Sequence, residues 1–257
     1  MPALREPHFI RAILQTDTSW SVYALGDLAP DQFEHCSWYR PSGDPVALAL
    51  VYRGFTPPVL FALGPASSFS TMLDEFSDEP AFYLHVRPEI VPALAPRYRI
   101  TTLKPMWRMV LDPARFPVTD PAAIRLRAGD LDRLQRLYAD GHAVGEAPDS
   151  FTASMLETGV FYAIRERDEL VAAAGTHLVA PQEWVAAIGC VYTRGDRRSR
   201  GLASRVTSAV AAELLRSGVA CVALNVNQHN IPAIRVYERL GFTRYCEYCE
   251  GLAERKG

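Results

Sequence analysis

No apolar run in this chain approaches the roughly 20 residues that a membrane-crossing helix requires; the stretch Pro45 to Tyr52 is among the longest. A membrane span is therefore not expected. Nor is there a surplus of positive charge. The 27 Lys and Arg face 29 Asp and Glu, for a net −2, whereas nucleic-acid binders usually carry a basic excess or stripe that neutralises phosphates. A nucleic-acid partner is not expected, and any basic site must be local. Cysteines are few and odd in number, at Cys36, Cys190, Cys221, Cys246 and Cys249. The first residues lack the basic, apolar and small-residue layout of a secretory signal. Both absences point to a reducing cytoplasm. What the chain does have is 49 % hydrophobic and 22 % charged residues, the ordinary balance of a protein that buries a core. Its 257 residues are long for one domain and comfortable for two.

Prolines mark the expected division. Pro113, Pro117 and Pro121 stand among Asp and Thr from Asp112 to Pro121, and proline denies the hydrogen bonds that would continue a helix or strand. The sequence predicts one domain over 1–115 and another over 122–257. In the first, Val46 to Tyr52 and Val59 to Leu63 read as paired strands around the turn residues Gly54, Pro57 and Pro58. A helix over Ser67 to Phe76, a strand near Phe82 to Val86, a helix near Glu89 to Leu94 and a strand through Trp107 to Leu111 follow. In the second, Ile124 to Arg127 is a strand, and Leu131, Leu134 and Leu137 share one helix face. A helix over Ser150 to Glu157 and a hairpin of Val160 to Arg165 with Leu170 to Leu178 come next. Then come a strand over Trp184 to Thr193, a helix from Gly201 to Arg216, a strand over Cys221 to Val226, a helix from Pro232 to Leu240 and a last strand from Phe242.

Two segments carry chemistry. Arg194-Gly-Asp-Arg-Arg-Ser-Arg-Gly-Leu-Ala puts four arginines in a turn that opens into a helix, where unpaired N–H groups and the dipole favour an anion. Gly201 and Ala203 are small enough for close approach of a pyrophosphate, and Arg198 can add charge-assisted bonds. A solvated basic cap is the plain alternative. From Asn230 the chain reads Asn-Ile-Pro-Ala-Ile-Arg-Val-Tyr-Glu-Arg-Leu-Gly-Phe, a helix capped by Asn230, with Pro232 in its first turn and Gly241 at its stop. Tyr237 shares a face with Ala233; packing alone would also account for it.

Arg198-Ser-Arg-Gly201-Leu-Ala203 resembles the R-x-x-G-x-G/A loop of the GNAT superfamily of N-acetyltransferases. Asn230, Ala233, Tyr237, Gly241 and Phe242 are similar to that family's second segment, in the family's order and spacing, and the resemblance covers Ile124 to Glu250. It implies an α/β fold with a mixed, splayed, mostly antiparallel sheet flanked by helices, and acetyl-CoA as cosubstrate with no metal. Backbone groups of Val191 and Thr193 would pair with the pantetheine arm. N–H groups of Arg198, Ser199, Arg200, Gly201, Leu202, Ala203 and Ser204 would hold the pyrophosphate. Asn230 and Ala233 would border the arm, a backbone N–H near Val191 or Tyr192 would polarise the thioester carbonyl, and Tyr237 would protonate the departing thiolate. The base that takes the amine's proton is open among Glu183, His177 and Glu146. The chain departs from the family in having Arg194 and Gly195 where a proline is common, which bears on the turn more than on the chemistry.

The string Cys246-x-x-Cys249 is not expected to bind metal, because residues three apart on a strand face opposite sides and no second pair completes a zinc site. The first half parallels the second in element order, so two GNAT-like halves in tandem are expected. The first half lacks a phosphate loop, reading Gly64-Pro-Ala-Ser-Ser-Phe-Ser after its strand. Trp20, Trp38 and Tyr39 would either line an acceptor cleft or pack the core. The expected activity is acetyl transfer to the primary amine of a small molecule by a monomer or homodimer. An acyl-CoA sensor without turnover and a protein or peptide N-acetyltransferase are the alternatives.

Overall fold

The structure, a computed structural model, describes residues 4–76, 78–117, 123–143, 145, 146, 148 and 151–257. Pro121 and Ser150, used above as a boundary and a helix start, lie outside these. The chain forms two compact units, each discontinuous in sequence. Unit 1 comprises Met1–Arg108, Asn227–His229 and Arg244–Gly257, and unit 2 comprises Met109–Val226 and Asn230–Thr243. A single cut among the prolines does not describe this division, because the chain passes from one unit to the other inside two long strands.

Unit 1 opens with α1 (Pro7–Leu14), α2 (Thr18–Gly26) and α3 (Pro30–Phe33). Asp17 caps α2 by accepting from the Trp20 N–H at 3.1 Å, the role short acceptors play at helix starts. Strands β1 (Cys36–Tyr39), β2 (Leu48–Tyr52), β3 (Val59–Leu63), α4 (Ala66–Met72), β4 (Ala81–Val86), α5 (Val91–Leu94) and β5 (Tyr98–Leu111) follow. Antiparallel pairing joins β1 to β2 and β2 to β3, while β3 runs parallel to β4 through Val59↔Tyr83, Leu60↔Leu84 and Phe61↔His85. The far half of the last strand, β11 (Phe242–Arg255), lies antiparallel against β4, with Cys249 opposite Val86 and Glu254 opposite Ala81. Val51, Leu60, Phe82, Leu84 and Tyr98 fill the core between this sheet and α4 and α5.

Trp20 and Trp38 are fully buried, and Tyr39 packs beside Phe76 at 5.1 Å. Of the two roles open to these three rings, the structure assigns core packing. The strand expected at Trp107 begins at Tyr98 instead; its first half alternates Thr, Leu and Lys, most of them exposed, so no apolar run announced it.

Unit 2 contains β6 (Ile124–Arg125), α6 (Leu131–Ala143), α7 (Ala153–Thr158), β7 (Tyr162–Glu166), β8 (Glu169–Ala180), β9 (Val185–Thr193), α8 (Leu202–Arg216), β10 (Cys221–Asn227) and α9 (Ile231–Arg239). Its strand order is β10-β9-β8-β7-β6. The pairs from β9 to β6 are antiparallel and β9 with β10 is parallel. Leu134, Leu137 and Tyr138 of α6 pack with Leu156, Phe161, Ala173, Cys190 and Tyr192, so the predicted apolar face of α6 does cover the sheet. The fold class is as expected: α/β, with a mostly antiparallel sheet flanked by helices.

Candidate active site

The parallel pairing of β9 with β10 covers only Val185↔Cys221 to Ile188↔Leu224. Beyond it the strands part. Against β8, Gly189 faces Gly175 and Tyr192 faces Ala173, which leaves Cys190 and Val191 opposite the single residue Ala174. This is a bulge, and it stands beside the parting. Cys190 adopts φ +52°, a left-handed conformation that costs a non-glycine residue energy and therefore needs support. The Tyr138 hydroxyl supplies it, donating to the Cys190 carbonyl at 2.7 Å. Two buried polar atoms flank the gap without a hydrogen-bond partner, Oγ1 of Thr193 on β9 and Oδ1 of Asn225 on β10. Buried polar atoms are nearly always satisfied, so this pair suits an amide-bearing ligand entering between the strands.

From Thr193 the chain runs directly into the arginine turn. Ser199 and Gly201 have φ +62° and +74°, and successive left-handed turns aim backbone N–H groups into one concavity. Gly201 is the N-cap of α8, and the first turn of a helix leaves its N–H groups without intrahelical acceptors. Among the described residues no group of the protein accepts from the N–H of Ser199, Arg200, Leu202, Ala203 or Ser204. These residues fit a diphosphate.

The arginines divide differently from expectation. Arg194 is held by Glu169 and Asp196, and Arg197 by Glu166 and Asp196. Arg198, the expected phosphate ligand, instead donates to Glu146 and, through Nε at 3.2 Å, to the Thr193 carbonyl. Arg200 is exposed, and its charge, after that of Arg197, helps hold Glu166 below the usual carboxylate range. Arg198, Glu146, Tyr192, Asp140, Arg194, Gly195 and Asp196 line an open cleft of about 570 Å³. The Tyr192 hydroxyl donates to Asp140 at 2.8 Å there, and burial, with Asp140 adding to it, pushes its pKa up to about 12.

Tyr237 lies on α9, nearly buried, edge-on to Phe242 at 6.1 Å between centroids. Burial pushes its pKa up to about 12, so it is a neutral phenol at any ordinary pH. Asn230 caps α9, its Oδ1 accepting from the Ala233 N–H at 3.2 Å, which leaves its amide N–H₂ for a ligand.

The three base candidates are not brought together. His177 lies against Gly189, the residue before the bulge, where a Cβ would collide with its imidazole; Gly189 is what admits the ring. Glu146 is exposed, tied to Arg198, and held below the usual carboxylate range chiefly by that hydrogen bond. Glu183 is buried in the 3₁₀ turn Pro181–Glu183 before β9. Seven residues separate it from Cys190, roughly 20 Å along a strand, so the structure does not bring it to the parting. Nothing in local spacing singles out Thr193 Oγ1, Asn225 or Tyr138; only the pairing register, which no spacing encodes, reveals them. Among the described residues no cluster of His, Cys, Asp or Glu has a metal-binding arrangement, and no helix is long and apolar enough to cross a membrane.

Residues 131–242 match the family described as acetyltransferase (GNAT) family. A mycothiol acetyltransferase of Thermobispora bispora is 27 % identical over 239 residues, covering 84 % of this chain and 78 % of that protein. Another, of Actinosynnema mirum, is 29 % identical over 187 residues, covering 64 % and 60 %. Among solved structures, a GCN5-related N-acetyltransferase from Kribbella flavida superposes with a TM-score of 0.59 at 17 % identity, over 93 % of this chain and 95 % of that one. One from Sphaerobacter thermophilus gives 0.56 at 18 %, over 100 % and 96 %; at these identities the likeness is one of fold. Residues 131–242, with their parted strands and amide-lined turn, match the GNAT acetyltransferase family, and the chain is similar along most of its length to a named acetyltransferase, which supports an acetyl-transferring enzyme of the GNAT type.

Proposed function

We propose that the protein moves an acetyl group from acetyl-CoA to the primary amine of a small molecule by direct attack in a ternary complex. The observation that carries this reading is the parting of β9 from β10 at a bulge that leads straight into an amide-rich helix start. Pantetheine enters the gap, where Val191, Thr193 and Asn225 offer polar groups. The diphosphate sits on the N–H groups of Ser199 to Ser204 with Arg200 alongside. The two relatives named mycothiol acetyltransferase support a small-molecule acceptor.

In the transfer the amine nitrogen bonds to the thioester carbon, the C–S bond breaks, and the amine loses a proton. His177 is the best placed of the three candidates to take that proton. Tyr237 serves the leaving sulfur. With a pKa near 12 against about 8.5 for an ordinary thiol, full proton transfer from the phenol is uphill, so it acts chiefly by donating a hydrogen bond to the developing thiolate. Unit 1 repeats a parallel strand pair, but the Trp20 indole donates to the Ala62 carbonyl at 2.9 Å. That blocks the strand edge a pantetheine would use, consistent with a GNAT-like half without its own cofactor.

Titration calorimetry with acetyl-CoA, followed by an amine screen for thiol release, tests the assignment; binding without transfer to any amine would leave a sensor. Tyr237→Phe should lower kcat by about 100-fold with acetyl-CoA affinity unchanged, and unaltered turnover would remove the tyrosine from the reaction. His177→Gln should lower kcat by at least 100-fold and abolish the acidic limb of the rate profile; retention of that limb assigns the base elsewhere. Glu146→Gln should alter acetyl-CoA affinity by no more than about fivefold, because its ion pair with Arg198 is solvent-exposed.

A further inference from the structure

Unit 1 buries a cation without a counter-charge. Arg108, on β5, is 0 % exposed, and its Nε and Nη1 are buried with no hydrogen-bond partner. Its Nη2 lies 2.8 Å from Nε2 of His85. Burial, then the Arg108 charge, holds the His85 pKa well below its ordinary value. The imidazole is therefore neutral, accepts this bond through Nε2 and contributes no negative charge. The other walls are aromatic: the guanidinium carbon is 4.8 Å from the ring centroid of Tyr23, 5.5 Å from Trp20 and 5.7 Å from Tyr248. Ring faces attract a cation but do not satisfy its N–H groups as a lone pair does.

The neighbouring carboxylates are already engaged. Asp17 takes Arg87 at 2.6 Å, the Tyr245 hydroxyl at 2.6 Å and the Trp20 N–H. Glu250 takes the hydroxyls of Tyr248 at 2.5 Å and Tyr83 at 3.1 Å. Arg87 also keeps its Nε buried and unpartnered. A guanidinium cannot shed its proton, and an unpaired buried charge is among the costliest arrangements an interior can hold.

The geometry points to a site for one compact monovalent anion, a halide or a carboxylate of formate size, held within unit 1 by the Nε–H and Nη1–H groups of Arg108 with Arg87 beside it. The aromatic walls bring no carboxylate to the guanidinium. The site is independent of the transfer reaction and of the acetyl-CoA assignment.

Bromide is the probe. Replacing gluconate by bromide at constant ionic strength should raise the melting temperature of the whole chain by about 3–5 °C at tenfold the dissociation constant. It should also quench part of the tryptophan emission saturably, since Trp20 adjoins the site. Arg108→Met should lose both responses. Should that variant fail to fold, crystals of the unaltered protein soaked in bromide decide: an anomalous peak beside Nε or Nη1 of Arg108 supports the site. A featureless map, or a melting temperature and emission indifferent to bromide, overturns it.

Discussion

Gly201→Glu is expected to weaken acetyl-CoA binding by about 100-fold or more, read by titration calorimetry. Gly201 caps α8 with φ +74° and nothing within 4 Å of where a Cβ would stand. A Cβ there meets no protein atom, and on the proposed reading the side chain faces the diphosphate. Glutamate places a carboxylate at the positive end of the helix, where it competes for the N–H groups the diphosphate needs and repels the phosphates themselves. A favourably placed charge at a helix terminus is worth up to about 2 kcal/mol, and loss of charge-assisted bonds adds to it, which together reach two orders of magnitude. Gly201→Ala separates charge from backbone strain. It should cost only about 1 kcal/mol for the left-handed φ and retain most of the binding. In the same assay Arg200→Ala should weaken binding more than Arg198→Ala, because the Arg198 guanidinium is already engaged by Glu146 and Thr193. Wild-type affinity in Gly201→Glu would detach the turn from the cofactor.

The second large effect is on stability. Gly251, on β11, lies so close to β5 that a Cβ would collide with the Thr102 carbonyl oxygen and stand 2.9 Å from its carbonyl carbon and 3.0 Å from Leu103 Cα. These are backbone atoms in a hydrogen-bonded strand, where the Leu252 N–H also donates to Thr102 Oγ1 at 3.0 Å, so the strand cannot yield as a flexible side chain would. Gly251→Ala should cost about 3 kcal/mol and lower the melting temperature by roughly 6–12 °C. Gly129→Ala, with open space around its Cβ position, serves as the control and should move it by less than about 2 °C. Equal melting curves for the two variants would show that β11 does not pack on β5 as described.

What could be read from the sequence was what local periodicity and capping write. The face of α6, the Asn230 cap, the hairpin of β7 and β8 and the glycine-opened α8 each depend on residues within a few positions of one another. The bulge at Cys190 does not: it exists because β8 offers one residue where β9 presents two, and register is a property of the pair. Arg198 was expected on phosphate because charge beside a helix start is visible in sequence, while its capture by Glu146, 52 residues away, is not. Glu183 is a candidate because it opens β9, yet the parting lies beyond Ile188, further along that strand. Nothing beside Arg108 in the sequence marks it as buried; the rings that enclose it, Trp20, Tyr23 and Tyr248, are brought together by the fold.

The sheet of unit 1 closes with a strand encoded far downstream: Tyr83 on β4 bonds Glu250 on β11 across 167 positions. At about 5–20 residues per second of synthesis, β4 leaves the ribosome roughly 8–30 s before its neighbour is made. During that interval Phe82, Leu84 and Val86 stand on an unpaired edge, the kind of surface that strays into wrong pairings. The half of the chain made first is thus the half that finishes folding late, and a nascent chain stalled before Arg244 presents this edge to whatever chaperone is within reach.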